Sequence, residues 1–142
     1  MIQTLAILLR VAGVVIILLA GLHVPIGRRL KWREEALRMS PVNASIFRVH
    51  AFFICLALVM MGLPCIVDPS AFLVRTRAGS WLAWSCSSWW TIRLYFQWFV
   101  YPSGLWRGKK VETTAHFLFT IIWLSLAIVF AACGAWQVAW LD

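Results

Sequence analysis

Carboxylates are scarce in this chain. Five Asp and Glu stand against thirteen Lys and Arg, and only 13% of the residues are charged. General acid–base catalysis needs a positioned proton donor and acceptor. Here Glu112 is the one acid close to the other polar candidates, with Glu34 and Glu35 in a connecting loop. That shortage weighs against an enzyme. The four cysteines, Cys55, Cys65, Cys86 and Cys133, contain no CxxC pair. Each reads as a small buried hydrophobe, with a Cys65–Cys86 disulfide as the alternative. No internal repeat, low-complexity stretch or soluble domain is apparent.

What the chain has instead is apolar surface. Hydrophobic residues make up 63% of it, ten Trp are present, and the mean hydropathy is +0.85. A soluble domain is nearer half apolar. The formal charge of +8 sits between the apolar runs rather than on the face of a soluble domain, so nucleic acid is not the implied partner. Anionic lipid headgroups are.

Four runs, 5–26, 46–67, 79–101 and 113–136, are long enough to cross a bilayer, which takes about 20 residues of helix. The expected fold is therefore all-α, a four-transmembrane-helix bundle forming one membrane domain. The first run carries Arg10 inside it, lacks a basic start and ends without a small-x-small cleavage site, so it reads as a helix rather than a signal peptide. Arg28, Arg29, Lys31, Arg33, Arg38, Arg48, Arg107, Lys109 and Lys110 fall in or beside two loops. The opposite side has Arg10, Arg75 and Arg77. This asymmetry places the two basic loops in the cytoplasm and both termini outside, in a multi-pass protein of a bacterial inner membrane. Trp32, Trp98 and Trp106 fit an inner aromatic belt; Trp81, Trp84, Trp136 and Trp140 fit an outer one. Trp89, Trp90 and Trp123 lie deeper.

Shorter signals fill in the connections. Gly13, Ile17 and Gly21 recur every four residues on the first helix, a spacing that lets another helix approach closely. Segment 28–39 predicts a short helix at the inner surface, with Glu34 placed to pair with Arg38. Ser40 and Pro41 stop it, and Asn43 or Ser45 can cap the next helix.

Polar residues inside the apolar runs are the functional candidates, because ionisable groups are expensive in lipid. Arg93, Gln97 and Tyr101 follow an i, i+4, i+8 spacing; Glu112 and His116 are i, i+4. His23, His50 and His116 all fall near the cytoplasmic leaflet in the expected topology. Arg93 lies roughly 12 Å deeper than Tyr101 at 1.5 Å per residue, and Glu112 is its expected partner. His23, His50, His116, Arg93, Gln97 and Tyr101 thus form a candidate cofactor site. Histidine suits haem iron or the magnesium of a chlorophyll. His23, His50, His116 and Glu112 form a candidate set for zinc, copper or iron. A quinone or lipid head group held by Arg93, Gln97, Tyr101 and a His is the third option.

The pattern of Arg93, Leu94, Gln97, Val100 and Tyr101, then Trp106, Gly108, Glu112, Thr113 and His116, resembles uncharacterised small bacterial four-helix membrane proteins. That resemblance implies the fold and no activity. The layout is also similar to the small haem-bearing membrane anchors of respiratory dehydrogenases, through helical architecture and histidines alone. The leading expectation is a non-enzymatic integral subunit of a larger respiratory or photosynthetic complex, in contact with lipids and other membrane subunits. The alternative is a small metal-dependent membrane enzyme acting on a lipid or isoprenoid substrate. A transporter or channel ranks last, since four helices without a repeat are few for a transport path.

Overall fold

The computed structural model describes residues 1–138. Trp140, expected in the outer belt, lies outside the described residues. Every regular element among them is helical. Helix α1 is Ile2–Arg29, α2 is Trp32–Leu37, α3 is Pro41–Val67, α4 is Arg77–Tyr95 and α5 is Lys110–Val138. Short 3₁₀ turns at Pro69–Phe72 and Ser103–Leu105 serve the connections, and a π-helical turn, Phe96–Val100, continues α4.

Three helices, α1, α3 and α5, are long and apolar enough to cross a membrane. The fourth expected span is not among them. Helix α4 has 19 residues, and Ser80, Ser85, Ser87, Ser88, Thr91 and Arg93 dilute its apolar character.

The chain divides into two compact units, one of residues Arg10–Asp68 and one joining Met1–Leu9 to the chain from Pro69 onward. In the first, α1 and α3 approach closely at two glycines. A Cβ on Gly13 would lie 2.7 Å from the Gly62 carbonyl oxygen, and one on Gly62 would lie 2.9 Å from that of Gly13. The small-residue face expected on α1 is thus used within the chain at Gly13. Gly21 takes no part, having nothing within 4 Å of its Cβ position.

Helix α1 runs to Arg29, and the chain reverses through Lys31, whose φ of 53° is left-handed. The turn folds Trp32 back over Gly27, where a Cβ would come within 2.9 Å of the indole. Trp32 also meets Phe47 edge-on at 5.6 Å. This expected belt residue is half-buried and packs against its own unit. Glu34 pairs with Lys31 at 3.4 Å, and Arg38 pairs with Glu35 at 3.0 Å rather than with Glu34. The short α2 brings i, i+3 neighbours together; both pairs are exposed, where such bridges contribute little. The cap of α3 is neither Asn43 nor Ser45. Ser40 accepts from the Asn43 N–H and Pro41 takes the first helical position, the pairing that best satisfies an N-terminus.

None of the four cysteines is in a disulfide, so the Cys65–Cys86 alternative is not realised.

Candidate functional site

Helices α4 and α5 form an antiparallel pair. On α4 and the π-turn that continues it the inward positions are Gly79, Ala83, Cys86, Trp90, Arg93 and Gln97; on α5 they are His116, Thr120, Trp123, Ala127, Phe130, Gly134 and Gln137. Steps of four and three alternate on both, the pattern that keeps one seam facing a partner helix. Gly134 admits Trp84, whose indole would be 2.7 Å from a Cβ there.

Polar groups punctuate this seam. At one end, buried Gln137 donates to the Phe72 carbonyl at 2.7 Å and accepts from the Thr76 N–H at 3.4 Å. Its amide lies so close to Gly79 that a Cβ there would come within 2.7 Å. Nearby, Trp136 donates to the Leu73 carbonyl at 3.2 Å, and the Arg75 guanidinium lies 4.4 Å from the Trp136 ring. One turn of α5 thus pins the loop that precedes α4. Midway, Ser87 donates to the Ala127 carbonyl at 3.1 Å. Trp90 stacks on Trp123 at 5.2 Å, and Phe119 stacks on Trp123 at 5.4 Å.

The other end holds the most informative contact. The π-turn closes with the Tyr101 N–H donating to the Phe96 carbonyl at 3.3 Å. Such wide turns often occur at functional sites. This one carries Gln97 into the seam, where its amide N–H group donates to His116 Nδ1 at 3.0 Å and reaches the His116 carbonyl at 3.4 Å. The carbonyl fixes which end of the amide faces the ring, since the amide oxygen would be repelled there. His116 Nδ1 is therefore the acceptor, and the neutral ring carries its proton on Nε2. That Nε2–H is buried and has no hydrogen-bond partner among the described residues. Trp106 stacks on the imidazole at 4.2 Å, and Trp98 meets it edge-on at 5.6 Å. Thr113 holds the Trp106 carbonyl at 2.6 Å.

The expected stripe divides accordingly. Gln97 is buried, whereas Tyr101 ends the π-turn in extended backbone and is exposed. Arg93 lies over aromatic faces. Its guanidinium lies 5.1 Å from the Trp123 ring and 5.6 Å from the Tyr101 ring. Glu112 stands in the first turn of α5, where the helix dipole favours an acid, and is engaged in a contact of its own.

His23 and His50 are on α1 and α3 of the other unit. Each ring places Nδ1 on the carbonyl four residues earlier, Leu19 at 2.8 Å and Ile46 at 2.9 Å. A carbonyl requires a donor, so both rings carry a proton on Nδ1, and in the neutral form of either ring the lone pair is on Nε2. The three histidines, equivalent by depth in the sequence, are thus opposite in chemistry. Among the described residues, no group of three or more His, Cys, Asp or Glu is placed to hold a metal ion.

Trp106 and Gln137 were not foreseen as site residues. The heptad spacing from His116 to Gln137 would have marked Gln137 as seam-facing. Nothing local marks Trp106, which reaches His116 only through the loop fold. No family model, curated protein or solved structure matches the chain.

Proposed function

We propose that this protein is a non-enzymatic integral subunit of a larger respiratory or photosynthetic membrane complex. In this reading α4 with its π-turn is a fourth crossing, the helices form a four-helix bundle, and the basic loops face the cytoplasm with both termini outside. The carrying observation is the outward surface of α3. Only 17% of its most apolar window is buried inside the structure. Phe52, Phe53, Ile54, Met60 and Leu63 are all exposed, so lipid or another subunit must cover them. Arg28, Arg29, Arg33 and Arg38 cluster in the first basic loop, as anionic headgroups on the cytoplasmic leaflet favour.

A haem or chlorophyll on this subunit would use His23 or His50. In its neutral form either ring would offer the Nε2 lone pair to a metal ion, with Nδ1–H held by a backbone carbonyl. His116 offers no such lone pair, because its Nε2 carries the proton. The test is purification in mild detergent, with native mass measurement and visible spectra of oxidised and reduced protein. Stoichiometric companion subunits support the reading, and a redox-sensitive Soret or far-red band lost in His23→Ala or His50→Ala supports the ligand. A clean monomer with turnover of its own overturns both.

A further inference from the structure

The buried ring nitrogens without a hydrogen-bond partner among the described residues are His116 Nε2 and the indole nitrogens of Trp90, Trp106 and Trp123. All four lie on α4, α5 or the segment joining them. Three of these side chains are more than nine-tenths buried: His116 is 6% exposed, Trp90 1% and Trp123 6%. Each of the four is a hydrogen-bond donor, since an indole offers only N–H and Gln97 has set His116 to the Nε2–H form. Arg93, over the Trp123 ring, adds a guanidinium that also only donates. Hydrocarbon supplies no water to satisfy such groups. The complement of a donor-only cluster is an oxygen with lone pairs and no hydrogen, on a molecule that enters the membrane.

We propose that the α4–α5 seam around His116 and Arg93 binds an acceptor oxygen of a lipophilic molecule, the carbonyl of a quinone-type ring or the phosphate of a lipid. The His116 Nε2–H donates to that oxygen. Gln97 is the positioning residue, because it holds the imidazole in the donating tautomer. Arg93, four residues before Gln97 and over the Trp123 ring, supplies positive potential along the seam. This binding stands apart from the subunit reading: it needs no partner chain and no axial ligand.

The chain has three histidines, so ¹⁵N-histidine labelling gives a spectrum that can be resolved in detergent micelles. In the free protein the His116 ring shows a protonated Nε2 and an unprotonated Nδ1. Decyl-ubiquinone and dihexanoyl-phosphatidylglycerol are then titrated separately. A saturable shift of the His116 Nε2–H, with the exposed His50 unmoved, supports the site, and the probe that produces it identifies carbonyl or phosphate. Gln97→Leu weakens that binding roughly tenfold, the factor that one neutral hydrogen bond of about 1.4 kcal/mol represents. A His116 ring protonated at Nδ1 in the free protein overturns the proposal. So does a shift shared equally by His50, or the absence of a His116 shift with both probes.

Discussion

Replacing Gly13 by Ala tests the close backbone approach of α1 to α3. The new methyl would sit 2.7 Å from the Gly62 carbonyl oxygen, 2.7 Å from Ile66 Cγ1 and 2.9 Å from Cys65 Cβ. Ile66 can rotate away, but the carbonyl belongs to the backbone of α3 and moves only if the helix does. Relief to an ordinary contact near 3.4 Å requires α1 and α3 to part by several tenths of an ångström along their crossing, which opens every neighbouring contact. Overpacking of this kind costs about 1–3 kcal/mol. Glycine to alanine also gains helix propensity, about 1 kcal/mol in a helix interior. Gly21→Ala is the control, since it gains the same propensity on the same helix with nothing within 4 Å of the new atom. The difference between the two variants isolates the contact, and Gly13→Ala should be the less stable by about 1–3 kcal/mol. Denaturant titration in mixed micelles, followed by tryptophan fluorescence, reads it directly. Stabilities of the two variants within about 0.5 kcal/mol of each other, below the expected range, would refute the crossing. The double variant Gly13→Ala with Gly62→Ala should lose less than the sum, because one separation relieves both clashes.

Gln137→Leu leaves the Phe72 carbonyl without its 2.7 Å donor and should cost about 1–3 kcal/mol; protease cleavage near residues 70–76 should quicken, and unchanged cleavage would discount the clamp. All four thiols should count as reduced by mass after alkylation of the unfolded chain, and protection of any pair from the reagent would reveal a disulfide. In a chain freed of native cysteines, Val74→Cys should react with a membrane-impermeant maleimide on intact cells and Ser103→Cys should not; the reverse pattern would invert the proposed orientation. Trp123→Ala removes a ring that Trp90, Phe119 and Arg93 all touch, and at about 3–5 kcal/mol it should be among the most damaging single changes to the α4–α5 pair in the same titration.

Helical class and membrane character could be read from residue types alone. Hydrocarbon thickness sets a length and a composition that α1, α3 and α5 meet without reference to any neighbour. The polar stripe on α4 was visible for a similar reason, since a fixed helical pitch turns spacing into shared faces. Prediction weakened where that pitch changed, and the π-turn separated buried Gln97 from exposed Tyr101.

Relations between distant residues belong to the tertiary structure. Gly13 and Gly21 look alike in sequence, yet only Gly13 meets α3, because the crossing point depends on residues 49 positions further along. His23, His50 and His116 likewise share a residue type, and their chemistry is decided by what stands against Nδ1. A carbonyl of the same helix makes donors of two. An amide 19 residues away makes an acceptor of the third. A proton's position on imidazole follows from its neighbour, and that neighbour is chosen by folding.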